Sequence, residues 1–303
     1  MMFYFTLTNP EAEDLLKEEI ALSYPDLRFS YSRPGFLTFK AEKEVNFAPV
    51  FCRVSGLSTG KFKKSELKFE RAWVWSRDES LVIPADLKAL SDKTNFRPGE
   101  KVTLIMMIGE DEYWTGEYTL KSSHFQTPGE VSSILETQSP SRAYYKIAEA
   151  AEAFDLPFEH EEKVLELGSA PGGASQFLLE NDLKVYGVDP AEMDPKIVKH
   201  VNFRHYRMAF ETITETTIKQ DMDWIISDVN LPPTIVMREV VRMHEFMAPK
   251  GLVITLKINE VKHLRLLWDF IDQVAGLGYA RYALKYLPSH RQELCLVALR
   301  DAT

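Results

Sequence analysis

The sequence predicts an α/β protein in two parts: an α+β, ferredoxin-like domain over residues 1–125, a connecting segment over 126–140, and a Rossmann-like, doubly wound parallel sheet over 141–303 that closes with an antiparallel hairpin. Three observations carry this. The chain has 303 residues, 45% of them hydrophobic, enough to bury two cores. From residue 141 onward, short apolar runs alternate with amphipathic stretches, the order of a parallel sheet covered on both faces. Before residue 121, strands of five to eight residues separated by turn-forming residues dominate instead.

In the first part, Met2 to Leu7 reads as a strand, and Asn9-Pro10-Glu11 starts a helix, with Pro in the first turn and acids beside the N-terminus, that runs through Leu15, Leu16, Ile20 and Leu22. Leu27 to Ser32 and Phe36 to Lys40 flank Arg33-Pro34-Gly35, where the Pro-Gly pair suits a chain reversal. Ala48 to Val54 reads as a second helix, with Pro49 in its first turn, followed by a strand from Leu57 to Phe62. This is the element order of a ferredoxin-like unit. Arg71 to Trp75, Lys101 to Met107 and Tyr113 to Leu120 add strands, with a short helix near Asp86 to Leu90. The alternation in Ala72-Trp73-Val74-Trp75 favours core packing over an exposed stacking surface.

In the second part, Ser141 caps a helix carried by Ala143, Ile147, Ala150 and Phe154. Strands follow at Val164–Leu167, Lys184–Val188, Val201–His205, Trp224–Ser227 and Gly251–Leu256. Helices are expected between and after them at Ala174–Glu180, Asp194–Lys199, Phe210–Gln220, Thr234–Met247 and Val261–Leu277. The last two runs, Tyr279–Tyr286 and Glu293–Arg300, flank Leu287-Pro288-Ser289-His290 and read as the antiparallel pair.

Composition narrows the function. A net charge of −9 and a pI near 5.4 argue against a protein that coats nucleic acid by charge alone, though they leave room for a local basic face. The basic run Lys61, Lys63, Lys64 and Lys68 reads as a solvated loop before it reads as a phosphate track. Cys52 and Cys295 are far apart and no His or Cys has ligand spacing, so neither a disulfide framework nor a metal site is expected. The N-terminus lacks a basic leader and no run is long enough to span a bilayer, so the expectation is a cytoplasmic protein without membrane contact.

The chemistry concentrates around Val164-Leu165-Glu166-Leu167-Gly168-Ser169-Ala170-Pro171-Gly172-Gly173, a strand entering a glycine turn that opens into a helix. Gly172 and Gly173 let backbone approach a ligand closely, and free N–H groups of the helix start favour acceptor groups. The Gly-x-x-x-Gly-Gly spacing is neither that of dinucleotide enzymes nor that of a P-loop, which favours S-adenosylmethionine over NAD or ATP. Glu166 lies near that seat. Open parallel sheets bind at the carboxyl ends of their strands, where Asp189, Asp228 and Lys257 stand; Asp189 is placed to accept from a ribose diol. Glu293 opens the last strand beside Arg291 and Gln292.

In order, Ser141-Arg142-Ala143-Tyr144-Tyr145-Lys146, Gly168 to Gly173, Val188-Asp189, Ser227-Asp228, Leu256-Lys257 and Arg291-Gln292-Glu293 resemble the motifs of the FtsJ/RrmJ-type RNA 2′-O-ribose methyltransferases, and most nearly the branch that acts on cytidine in large-subunit (23S) rRNA. The resemblance covers about half the chain. It implies a Rossmann-like S-adenosylmethionine-dependent methyltransferase domain and an N-terminal THUMP-like RNA-docking region ending near Tyr113-Trp114-Thr115-Gly116-Glu117-Tyr118. It places a catalytic tetrad on Lys146, Asp228, Lys257 and Glu293, and cofactor contacts on Ser141, Gly168, Ser169, Ala170, Pro171, Gly172, Gly173, Asp189 and Asp228. Lys257 would be the general base, with RNA as partner, no metal, and a monomer favoured. One departure stands out: where the family has an acid for the adenine amino group, this chain reads Tyr206-Arg207-Met208-Ala209-Phe210. The readings set against this one are a non-catalytic RNA-binding or ribosome-assembly factor that retains the fold and, disfavoured by the loop spacing, a dinucleotide oxidoreductase.

Overall fold

A computed structural model describes residues 1–76, 80–91, 96–97, 99–120 and 138–300. The chain divides into two units, Met1–Ser132 and Ser133–Thr303. Most of the connecting segment expected over 126–140 lies outside the described residues.

The first unit is a seven-stranded sheet in the order β2-β3-β1-β4-β7-β6-β5. Its strands are β1 (Met2–Leu7), β2 (Arg28–Arg33), β3 (Phe36–Ala41), β4 (Val54–Phe62), β5 (Trp73–Trp75), β6 (Lys101–Gly109) and β7 (Glu112–Thr119), accompanied by helices α1 (Glu13–Ser23) and α2 (Ala85–Ser91). All pairings are antiparallel except β5 with β6. The period of two sets the two faces: along β6, Leu104 and Met106 join Phe5, Trp73 and Trp75 in one cluster, while Ile105 and Met107 join Leu87 and Tyr113 in another. Trp73 and Trp75 are therefore core residues.

The helix expected at Ala48–Val54 does not form. Residues 44–53 are irregular, because tertiary partners take the backbone groups that a helix would pair internally. The buried Glu19 carboxylate accepts the N–H groups of Val50 at 2.6 Å and Phe51 at 2.9 Å, and the Phe51 carbonyl accepts the Thr8 hydroxyl at 2.7 Å. The basic run also has a plain structural explanation. Lys61 pairs with Glu112 at 3.0 Å, Lys63 with Asp111 at 3.8 Å and Lys64 with Asp86 at 2.8 Å, so its charge is largely neutralised by acids of the same unit.

The second unit holds α3 (Ala143–Ala153), β8 (Lys163–Leu167), α4 (Gly173–Glu180), β9 (Lys184–Val188), α5 (Pro195–Val198), β10 (Phe203–Tyr206), β11 (Trp224–Ser227), α6 (Pro233–Met247), β12 (Gly251–Lys257), α7 (Val261–Leu264), α8 (Leu267–Gly276), β13 (Arg281–Lys285) and β14 (Glu293–Leu299). The sheet order is β10-β9-β8-β11-β12-β14-β13. The first five strands in that order run parallel; β14 runs antiparallel to both β12 and β13. Every residue of β14 is buried, which its nearly unbroken apolar run Leu-Cys-Leu-Val-Ala-Leu permits only for a strand covered on both faces.

Two expectations are corrected here. Phe210–Gln220 is not a helix: a single 3₁₀ turn over Phe210–Thr212 gives way to turns. Four threonines in that stretch compete with the backbone. Thr212 donates its hydroxyl to the Ala209 carbonyl at 2.6 Å, and the Thr217 hydroxyl accepts the Thr214 N–H at 3.1 Å. The single helix expected over Val261–Leu277 is two, α7 and α8, divided at Arg265 and Leu266.

Candidate active site

The parallel strands bring their C-terminal ends to one edge, and β14, running the other way, brings its first residue there. Antiparallel register places Glu293 directly opposite Lys257. Asp228 follows β11, the other neighbour of β12, and Lys146 reaches the same point from the second turn of α3. Four charged side chains from four separate elements thus meet. Lys146 Nζ donates to both Asp228 oxygens, at 2.9 and 3.1 Å, and pairs with Glu293 Oε1 at 2.6 Å. Lys257 Nζ donates to Asp228 Oδ1 at 3.0 Å and lies 3.8 Å from Glu293 Oε1.

The two ammonium and two carboxylate groups balance in charge, and their side chains are only 9–17% exposed. The environment separates the two lysines. Burial alone would depress Lys146, yet its attraction to Asp228 and Glu293 outweighs that and raises its pKa. Lys257 is depressed, first by burial and then by the neighbouring Lys146 charge, against the opposing pull of Asp228. For Asp228 and Glu293, burial works upward, but both lysines together hold each carboxyl below its ordinary range. The arrangement therefore contains one firmly charged lysine and one disposed to release its proton.

The glycine turn adjoins this cluster, since the Asp228 N–H approaches the Leu167 carbonyl at 3.4 Å. Gly168 and Gly172 have φ of +75° and +118°, which other residues rarely adopt. A Cβ on Gly173 would strike the Ser141 hydroxyl and carbonyl, so Ser141 packs behind the turn while its Oγ also accepts the Ala143 N–H at 3.3 Å. The Ser169 hydroxyl sits 3.4 Å from Met193 Sδ, and the Ala170–Pro171 bond is cis. Asp189 shapes the turn, accepting the N–H groups of Ala170 at 3.1 Å and Ala191 at 2.8 Å, one on each oxygen. Beneath the turn lies Glu166, 3% exposed; burial pushes its carboxyl up to about 8, against a hydrogen bond from Ser175. In the stretch that lacks the expected acid, Arg207 donates to the Pro190 carbonyl at 3.2 Å and Met208 N–H to the Tyr206 carbonyl at 2.8 Å.

The structure brings Lys146, Asp228, Lys257 and Glu293 together and places Ser141 and Asp189 against the glycine turn. It also shows two that reasoning passed over: Glu149, buried on α3, and Ser289, in the turn before β14. Neither carries a motif. Only the three-residue spacing of Glu149 from Lys146 hinted that both share a helix face.

Residues 140–263 match the FtsJ-like methyltransferase family. The FtsJ-like segment spans α3 to α7, so it includes three of the four charged groups but stops short of Glu293. Among individual relatives, ribosomal RNA large subunit methyltransferase M of Laribacter hongkongensis is 28% identical over 180 residues, 55% of this chain and 50% of that one. The protein of the same name from Shewanella frigidimarina is 28% identical over 240 residues, 71% of this chain and 62% of that one. An uncharacterised protein of Methanocaldococcus jannaschii is 30% identical over 124 residues, 40% of this chain and 35% of that one. The chain thus spans about half the length, or less, of the first of these relatives. Among the described residues, no group of three His, Cys, Asp or Glu is placed to hold a metal, and no helix is long and apolar enough to cross a membrane.

Proposed function

We propose that this protein is an S-adenosylmethionine-dependent RNA methyltransferase that modifies a ribose 2′-hydroxyl, and that its substrate is a cytidine of large-subunit rRNA. The observation that carries the reading is the meeting of Lys146, Asp228, Lys257 and Glu293 within ion-pair distance beside the glycine turn. The family match and the names of the relatives support the substrate class.

The residues present suit the cofactor. Gly168 and Gly172 give a turn without side chains at positive φ, the start of α4 offers N–H groups, and Asp189 supplies a carboxylate at the end of β9. Ser141 supports the turn from behind. When bound, S-adenosylmethionine supplies an electrophilic methyl carbon and a thioether leaving group.

The chain supplies the rest. A ribose hydroxyl is a poor nucleophile until its proton leaves, and Lys257, depressed by burial and by Lys146, is the group disposed to take it. Lys257 Nζ would take the proton of the 2′-hydroxyl as that oxygen becomes the nucleophile toward the methyl group that the cofactor would supply. Asp228 orients Lys257 and Lys146 through one oxygen; Glu293 holds Lys146 from the opposite side. Positioning and exclusion of water do the remainder. The first unit, in this reading, is a ferredoxin-like and THUMP-like domain that docks RNA, and the protein is a monomer in the cytoplasm.

The test is transfer of a labelled methyl group to rRNA, with the modified nucleoside identified by mass, for the wild type and Lys257→Ala. The expected outcome is a 2′-O-methylcytidine that depends on Lys257. Binding of RNA without any transfer would favour the non-catalytic reading, and full transfer by Lys257→Ala would remove the assignment of the base.

A further inference from the structure

Ser289 sits in the turn between β13 and β14, four residues ahead of Glu293, and all its polar groups are engaged by one helix. Its N–H donates to Glu149 Oε2 at 2.9 Å and its hydroxyl to the same oxygen at 2.7 Å. Its carbonyl accepts from the Arg142 guanidinium. Arg142, which caps α3, and Lys146 and Glu149 within it are spaced four and three residues apart, along one face. The helix face that delivers Lys146 is thus the face that grips the turn. Glu149 is fully buried, a costly place for a carboxyl group.

The turn is stiff and is tied at its other end as well. The Tyr286 hydroxyl lies 2.9 Å from both the His290 and Arg291 carbonyls, the His290 N–H donates to the Leu287 carbonyl at 3.0 Å, and the buried His290 imidazole is within electrostatic range of the four charged groups. At the end of the turn, the Gln292 carbonyl accepts the N–H of Ile258, the residue after Lys257, at 2.8 Å. One short segment therefore connects the helix of Lys146 to the strand end of Lys257.

We propose that Glu149 and Ser289 are positioning residues that hold Lys146 at its working distance from Lys257, a role that rests on the tetrad reading above. The groups facing Lys257 are Asp228 from the end of β11, Lys146 from α3, Glu293 from β14 and the neutral His290 from the turn. If α3 drifts, the positive neighbour recedes while Asp228 and Glu293, fixed by the sheet, remain. Lys257 then keeps its proton to higher pH.

The test follows Lys257 in the whole protein by ¹⁵N NMR of its side chain over a pH series, together with single-turnover methyl transfer to RNA. In Glu149→Leu, the Lys257 midpoint should rise by about one pH unit, and transfer below that midpoint should fall about tenfold. Affinity for S-adenosylmethionine should stay constant. Glu149→Gln retains a carbonyl oxygen for both hydrogen bonds and should restore both readouts. If Glu149→Leu does not fold, Ser289→Ala, which removes the hydroxyl alone, should shift both in the same direction by about half as much on the pH scale. A folded Glu149→Leu, or Ser289→Ala in its place, whose Lys257 titrates as in the wild type overturns the proposal. If the wild type transfers no methyl group, the tetrad reading fails, while the titration still decides the positioning.

Discussion

Replacing Lys146 by Met keeps most of the length of the side chain and removes its charge, so the effect on Lys257 can be worked from the geometry. Both ammonium groups touch the same Asp228 oxygen, at 2.9 and 3.0 Å, so their nitrogens are less than about 6 Å apart. For two largely buried charges at that separation, an effective dielectric of about 20 to 40 gives a repulsion of about 1.5 to 3 kcal/mol. Its loss should move the protonation of Lys257 up by about one to two pH units. The sign is unambiguous, because removing a cation also leaves Asp228 and Glu293 with Lys257 as their one remaining partner in the cluster. The assay is single-turnover transfer of a tritiated methyl group to rRNA as a function of pH. The acidic limb should shift upward, with a loss of about ten- to a hundredfold below it and recovery at high pH. An unmoved limb, a downward shift or an equal loss at every pH would refute the idea that Lys146 tunes Lys257.

Two further outcomes concern stability. Glu166 is neutral in the folded protein up to about pH 8, while its unfolded counterpart ionises near 4.5, so its contribution is intact at low pH and is lost as pH rises across that window. Glu166→Gln cannot ionise and should gain a few kcal/mol on the wild type between those limits, seen as a Tm difference that widens from pH 5 to pH 8; parallel curves would contradict it. Glu19→Ala strands the part-buried N–H of Val50 and the buried N–H of Phe51 and should cost about 2 to 4 kcal/mol in urea unfolding of the first unit. A transition at the wild-type urea concentration would show that those groups find other acceptors.

Much of this was legible because the second unit is locally consistent. Val164 to Gly173 announces a strand, a turn and a helix in ten residues, and residues after strand ends mark the site in any open parallel sheet. Two of the failures share a physical cause, in that side chains captured backbone groups that local pattern assigned to helices. The Thr212 to Thr217 stretch did so with its own hydroxyls, and the N–H groups of Val50 and Phe51 were claimed by Glu19, 31 and 32 residues distant. Strand order in the first unit was out of reach for a related reason: the pairing of β1 with both β3 and β4, and the parallel approach of β5 to β6, depend on which apolar faces match across the whole sheet. Within the site, Asp228 and Lys257 follow from topology. Glu149 and Ser289 do not, since a lone buried acid and a loop serine are common, and only coordinates show them bonded across 140 residues.

The reversed direction of β14 has a consequence for when chemistry becomes available. Lys146 arises from the first helix of its unit and Glu293 from the last strand, so the constellation joins the two extremities of the domain. Loosening either extremity, while leaving the intervening parallel strands intact, would dismantle the proton acceptor's surroundings and keep the cofactor's seat. Such a partly frayed domain could still hold its small ligand and remain inert toward hydroxyl groups, which couples reactivity to completed folding without any dedicated switch.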